Sequence, residues 1–156
     1  MAGLVNIGEM GSLALHILIE LAKTRELDVQ ARLNVNDLAR RLGGSVHTIH
    51  KVTGRLVKAG MLDSSRGAAG GLKLKMSPDA LTLMQAIEAV DGKVNSNSCL
   101  FAKRVCLQDA ECPFAGLATG IENRVLKYLL ETTVADLLAA RQPRSQKMKP
   151  QTNREK

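Results

Sequence analysis

The chain has 156 residues, of which 45% are apolar but only 2% are aromatic, and its formal net charge is +7. A chain of this length forms one domain, or one domain with a helical extension, and a core almost without aromatic rings favours helices packed through Leu, Val, Ile and Ala. No run of eighteen apolar residues is present, and the first residues lack the basic and apolar regions of a signal peptide, so we expect a cytoplasmic protein with reduced thiols and no membrane contact.

The positive charge is concentrated in two stretches. Residues 44–75 carry six basic side chains against Asp63 alone, whereas residues 76–140 carry five basic and eight acidic ones. The last stretch, 141–156, has six basic side chains against Glu155 and is polar, so we expect a disordered, solvated tail. The central stretch is different, because its charge accompanies clear secondary-structure signals.

The first half of the chain contains the pattern of a helix-turn-helix. Residues 12–23 are apolar almost all round and predict a buried helix. Residues 35–42 show helical spacing, with Asn36 as a possible cap and a pair of glycines as the stop. Another helix is predicted between Ser45, as its cap, and Gly60. Two short helices joined by a tight glycine-containing turn are typical of a helix-turn-helix.

Two predicted strands and a glycine-rich loop follow directly. Residues 61–65 and 71–76 show strand-like alternation, and in the second strand the apolar positions face inward while Lys73 and Lys75 face outward. The loop between the strands has the sequence RGAAG and begins with Arg66. This order of elements predicts the wing of a winged helix.

The outward side of the second short helix suits the major groove of DNA. Imidazole, hydroxyl and ammonium groups can reach base edges, and Lys and Arg also neutralise phosphates. A basic residue on a small wing suits the narrow minor groove, and glycines beside it allow the backbone to approach closely. We therefore expect DNA binding, with a winged helix used for protein contacts as the alternative. The predicted DNA-contacting residues are Ser45, His47, Thr48, His50, Lys51, Arg55, Arg66, Gly67 and Gly70.

Three further helices are predicted around an irregular loop at about 93–112. The first begins at Thr82 and ends at Gly92. The second covers about 113–130, and a capping-box pattern at Thr133 introduces the last. The apolar side of the second of these helices consists of Leu117, Ile121, Val125, Tyr128 and Leu129.

The loop holds all three cysteines of the chain, Cys99, Cys106 and Cys112. Three thiols cannot pair off, so a purely structural disulfide framework is not expected. Three thiolates can hold a soft metal or an iron–sulfur cluster and leave one position for another ligand. A cluster-free redox switch is the first alternative, because Lys103 and Arg104 could activate the thiols for disulfide formation. A small iron–sulfur carrier is an alternative of another class, and no constellation of acid and base groups predicts an enzyme.

Several stretches, among them VNDLARRLGGS, SSRGAAGGLKL and LTLMQAIEAVDG, resemble the Rrf-two family of winged-helix transcription regulators of the IscR and NsrR type. The resemblance covers about residues 10–140 and includes the cysteine triplet. It implies a mainly α fold with a small β-wing, in which a winged helix-turn-helix is followed by a long dimerisation helix. It also implies a homodimer that binds double-stranded DNA at a pseudo-palindromic operator, as a repressor that responds to redox state, nitric oxide or iron status.

The same resemblance implies that the three cysteines are ligands of a [2Fe-2S] or [4Fe-4S] cluster completed by a residue that is not cysteine. In some relatives this ligand is an acidic residue near the N-terminus, where this chain has Ser12, and in others it is a histidine, where this chain has Ala115. Glu9 and His16 are further candidates, although a lone histidine on an apolar helix is more often a core residue. The expected domains are a winged helix-turn-helix domain (1–80), the cysteine loop with the dimerisation helices (81–140), and the basic tail (141–156).

Overall fold

The structure of the protein is a computed structural model that describes residues 7–67, 70–94 and 115–140. The predicted cysteine loop and basic tail lie outside these residues, apart from the start of the loop. The described elements are α1 (Glu9–Leu27), α2 (Val35–Leu42), α3 (Val46–Lys58), β1 (Leu62–Ser65), β2 (Gly71–Leu74), a 3-10 turn (Pro78–Ala80), α4 (Leu83–Asp91), α5 (Ala115–Glu131) and α6 (Val134–Ala139). The mainly α fold with a small β-wing is thereby confirmed.

Helix α1 is the centre of the fold. It packs against α2, α3, α4, α6 and β2, which explains why its sequence is apolar almost all round. The helix is longer than the predicted 12–23, because it also includes residues 9–11 and 24–27. Its fully buried side chains are Ala14, Ile17, Leu18 and Ala22, with Leu21 nearly so.

The helix-turn-helix differs from the prediction at its caps. The side chain of Asn34 accepts a hydrogen bond from the backbone N–H of Asp37 at 2.8 Å, so the predicted cap at Asn36 is wrong and the capping residue lies before the first helical turn. Gly43 has a left-handed backbone and ends α2, as predicted. Ser45 precedes α3 with extended backbone, but its side chain makes no capping hydrogen bond.

Strands β1 and β2 form the predicted antiparallel hairpin, in which Leu62 pairs with Leu74 and Ser65 pairs with Gly71. The side chain of Leu72 is buried and its backbone also pairs with Leu33, through N–H···O bonds of 3.0 and 2.9 Å. This pairing attaches the wing to the chain between α1 and α2.

Both predicted capping residues of the second half are present, at Thr82 before α4 and at Thr133 before α6. Each hydroxyl accepts from the backbone N–H of the third helical residue, whose side chain accepts from the backbone N–H of the cap in return. The hydrogen bonds from the backbone N–H and hydroxyl of Thr133 hold the pKa of the Asp136 carboxyl below its ordinary value. In the described part of the chain, no helix combines the length and apolar character needed to cross a membrane.

Candidate nucleic-acid interface

The packing of α3 decides which of its side chains face outward. Ile49, Val52 and Leu56 are fully buried, and they occupy one side of the helix at the expected spacing of three and four residues. Thr53 extends the buried side, where its hydroxyl donates to the backbone carbonyl of His50 at 3.1 Å. The opposite side of α3 is therefore exposed. It carries the exposed residues Ser45, His47, His50, Lys51 and Lys58, beside the half-buried Thr48.

The wing stands next to this exposed side of α3. An open cavity of about 370 Å³ separates the two elements. Arg66 and Gly67 are exposed beyond the end of β1. A Cβ atom on Gly70 would lie 2.5 Å from the carbonyl oxygen of Ser65, so the return of the wing into β2 requires glycine at this position. The residues lining the cavity include His50, Gly54, Ser64, Ser65, Gly67 and Gly70.

The charge around α3 and the wing is almost purely positive. Helix α3 has no acidic residue, and Asp63 is the single acid in residues 44–75. Its carboxylate pairs with the guanidinium of Arg32 at 2.9 Å. This hydrogen bond, reinforced by the charges of Arg32, Lys73 and Lys75, holds the pKa of the Asp63 carboxyl below its ordinary value. Because the carboxylate is already paired, the surface offers cations to a polyanion without a competing free acid on this segment.

Arg55 does not share the outward surface with its neighbours on α3. Its side chain is half-buried, and its Nη1 donates to the backbone carbonyl of Val90 in the last turn of α4. Arg55, which the sequence predicted to contact DNA, therefore makes a tertiary contact to α4 in the structure. Sequence periodicity puts Arg55 next to the buried Leu56 but does not reveal which carbonyl its guanidinium reaches.

The candidate fourth ligands lie together on α1. Glu9, Ser12 and His16 are all exposed and line one open depression. The expectation that His16 is a core residue is wrong. Its Nδ1 lies 2.8 Å from the carbonyl oxygen of Ser12. A carbonyl only accepts hydrogen bonds, so Nδ1 of His16 is the donor in this contact.

Glu9, Ser12 and His16 form a strip on α1. The carboxylate and imidazole groups of this strip fit the ligand chemistry of iron. The three cysteines lie outside the described residues. Within the described ranges, no three His, Cys, Asp or Glu side chains converge on a possible metal site. The strip on α1 therefore offers a nitrogen or oxygen ligand, and the sulfur ligands come from the sequence alone.

Helix α5 leaves part of its predicted apolar side uncovered. Leu129 is buried, and Val125 packs with it against α4. Leu117, Ile121 and Tyr128 are 57%, 37% and 58% exposed. Their spacing places these three side chains along one stripe of the helix, so a second apolar surface remains available for a partner.

The chain is similar to known transcriptional regulators over most of its length. Residues 7–140 match the Rrf2 family, described as iron-dependent transcriptional regulators. The HTH-type transcriptional regulator IscR of Aliivibrio salmonicida is 28% identical over 102 residues, which cover 65% of this chain and 60% of that protein. The HTH-type transcriptional regulator CymR of Bacillus subtilis is 29% identical over 133 residues, which cover 85% of this chain and 89% of that protein.

A solved structure has the same architecture. The structure of CymR, the global cysteine regulator of Bacillus subtilis, superimposes with a TM-score of 0.71 at 29% sequence identity. The superposition covers 88% of this chain and 98% of that chain. The helices, the wing and their order are therefore shared over nearly the whole of the solved chain.

Proposed function

Because the chain belongs to the Rrf2 family of transcriptional regulators, we propose that it is a cytoplasmic homodimeric repressor whose operator affinity is controlled by an iron–sulfur cluster. Like its relatives, the chain is a DNA-binding transcription regulator and not an enzyme. The observation that carries the DNA-binding part of the proposal is the exposed positive surface of α3 and the wing. The cysteine triplet and the family's description as iron-dependent support control by a cluster.

The proposed DNA contacts divide between two grooves. On α3, His47, His50 and Lys51 extend toward base edges and phosphates of the major groove. At the wing, Arg66 enters the adjacent minor groove, where the negative potential is strongest. The sugar-phosphate strand between the grooves crosses the cavity between α3 and the wing. The remaining proposed contacts, through hydroxyl groups or close backbone approach, are Ser45, Thr48, Gly67 and Gly70.

A dimer is proposed because a pseudo-palindromic operator needs two copies of α3. Its half-sites lie about 34 Å apart, one turn of the double helix, and each receives one recognition helix. The exposed apolar stripe of α5 supports this assembly, since pairing with a second copy would remove Leu117, Ile121 and Tyr128 from water.

Cys99, Cys106 and Cys112 are the proposed thiolate ligands of the cluster, and the strip on α1 is the proposed source of the fourth ligand. When bound, the cluster supplies a centre whose redox state and iron ligation respond to small molecules. Among the strip residues, His16 is favoured because a ligating histidine usually donates its other ring N–H to a carbonyl or carboxylate. The contact between His16 Nδ1 and the carbonyl of Ser12 already provides this arrangement. Glu9 and Ser12 are the other candidates.

The cluster is tested by the visible absorption spectrum and iron content of protein purified without oxygen, recorded again after nitric oxide and after air. We expect absorption that is lost in the triple Cys→Ser variant and weakened in His16→Ala. A colourless wild-type protein without iron would contradict the cluster. Operator affinity that nevertheless changes on thiol oxidation would then establish the cluster-free switch.

DNA binding is tested with a duplex selected by the wild-type protein from a random-sequence library. We expect binding that weakens steeply as salt rises, because cations on α3 and the wing displace counterions from phosphates. A small iron–sulfur carrier would show no such binding. Absence of selection and of salt-dependent binding would refute the proposed function.

A further inference from the structure

Two consecutive residues at the end of α4, Val90 and Asp91, accept hydrogen bonds from α3 and from the start of α1. Val90, which is 2% exposed, receives through its backbone carbonyl the hydrogen bond from Nη1 of Arg55 on α3. Asp91 accepts through Oδ2 the backbone N–H of Gly8 at 2.9 Å and that of Gly11 at 3.1 Å. The end of α4 is thus joined to α3 on one side and to the start of α1 on the other. We call this arrangement the α4 junction.

The Asp91 contact replaces a missing cap on α1. Gly8 occupies the N-cap position and has no side chain with which to satisfy the first free N–H groups of the helix. The carboxylate of Asp91 takes over this role and is further favoured by the positive end of the helix dipole. A Cβ atom on Gly8 or Gly11 would lie 2.7 or 2.4 Å from Oδ2 of Asp91. Glycine at both positions therefore permits the close approach.

Asp91 caps the N-terminal end of α1, and Arg55 in the same way caps the C-terminal end of α4. Carbonyls in the last turn of a helix lack intrahelical partners, and a cation placed there is favoured by the negative end of the dipole. Because Arg55 is half-buried between α3 and α4, its side chain is held away from the outward surface that carries Lys51. Arg55 and Lys51 lie one helical turn apart but face different surroundings.

We propose that Arg55 and Asp91 are positioning residues that set the orientation of α3 relative to α4 and α1. Arg55 then supports operator binding without touching DNA. This inference rests on the proposed DNA-binding function. It adds which residues fix the orientation of the recognition helix, α3. The α4 junction also directly precedes the segment that carries the three cysteines.

The role of Arg55 is tested by the salt dependence of binding to the selected duplex. We expect Arg55→Met to weaken binding at fixed salt by at least about tenfold, because each copy in the dimer loses a charged hydrogen bond that holds α3, with an unchanged slope of log K against log salt. The matched control Lys51→Met should lower the magnitude of that slope by about 1.8 for a dimer, because each copy loses about one phosphate contact worth about 0.9. Arg55→Lys should recover part of the affinity, since an ammonium can still donate to the Val90 carbonyl.

If the magnitude of the salt slope decreased in Arg55→Met as much as in Lys51→Met, Arg55 would contact a phosphate. This result would overturn the proposal. Unchanged affinity and unchanged slope would overturn it as well. Arg55→Lys gives the same comparison of slopes should Arg55→Met not fold, which circular dichroism reports.

A second measurement needs no DNA. In Asp91→Ala we expect the amides of Gly8 and Gly11 to exchange hydrogen at least several-fold faster, because they lose their shared acceptor. Asp79→Ala, which removes an exposed acid elsewhere, should leave both amides unchanged. Asp91→Asn keeps one carbonyl acceptor and should give an intermediate rate if the alanine variant does not fold.

Unchanged exchange at Gly8 and Gly11 in both Asp91 variants would overturn the α4 junction. If wild-type protein selects no duplex from the library, the proposed function fails, while the exchange experiment still decides whether Asp91 holds α1. The two failures are therefore distinguishable.

Discussion

The wing gives the sharpest prediction, for the variant Arg66→Ala. Arg66 is exposed, and no other described residue holds its guanidinium by a hydrogen bond or ion pair. Its loss should therefore change the free energy of unfolding by no more than about 0.5 kcal/mol, as for ordinary surface substitutions. Any large effect on DNA binding then comes from the interface itself.

The magnitude follows from counterion release. A dimer carrying Arg66→Ala lacks two cations at the DNA, and each contributes about 0.9 to the slope of log K against log salt, so the magnitude of the slope should fall by about 1.8. Between about 50 and about 200 mM salt, a fourfold range, this difference changes the affinity relative to wild type by about twelvefold. The variant should be weakest relative to wild type at low salt.

A mobility-shift or fluorescence-anisotropy titration of the selected duplex at four or more salt concentrations measures both quantities. The matched control is Lys127→Ala, which removes an exposed cation paired with Glu131 on α5, away from α3 and the wing. The control should keep the wild-type slope. Equal affinities and equal slopes for wild type and Arg66→Ala would refute the placement of the wing on DNA, provided that both proteins remain dimeric.

Three further predictions concern assembly and stability. Ile121→Glu should convert the dimer to a folded monomer, because it places a charge in the apolar stripe of α5; light scattering together with circular dichroism measures this, and an intact dimer would count against the proposed interface. The paired Asp63 stabilises the fold above the ordinary pKa of an aspartate, about 4, and this contribution disappears as pH falls through the lowered folded pKa. The Tm of wild type should accordingly fall more steeply below that pH than the Tm of Asp63→Asn, and parallel curves would contradict the role of the Arg32 pair. Thr82→Ala should cost about 1 kcal/mol in urea unfolding, because the capping bond to the N–H of Gln85 is lost; an unchanged midpoint would show that the cap contributes nothing.

Interactions between residues close in sequence could be predicted from the chain. The capping residues Thr82 and Thr133 each bond to a residue three positions later, so the spacing of residue types is sufficient to reveal them. The inward position of Leu72 likewise follows from strand alternation. The error at Asn36 shows the limit of such reasoning, because a second asparagine two positions earlier was equally able to cap.

The surroundings of individual polar side chains could not be predicted in the same way. His16 lies on an apolar helix, yet the fold leaves its side of α1 exposed. Helical periodicity places such a residue on a face, but the neighbouring elements decide whether that face is covered. The uncovered stripe of α5 has the same origin, since a pattern of apolar residues does not distinguish an internal contact from a contact with a second chain.

The sequence by itself determined the winged helix-turn-helix, its positive surface and the cysteine triplet, because each depends on composition or on residues a few positions apart. Only the tertiary structure decided the partners of Arg55 and Asp91. Their hydrogen bonds join residues separated by 35 and by 83 positions along the chain. Contacts of this kind depend on how helices pack, and local periodicity carries no information about which distant backbone group a side chain will meet.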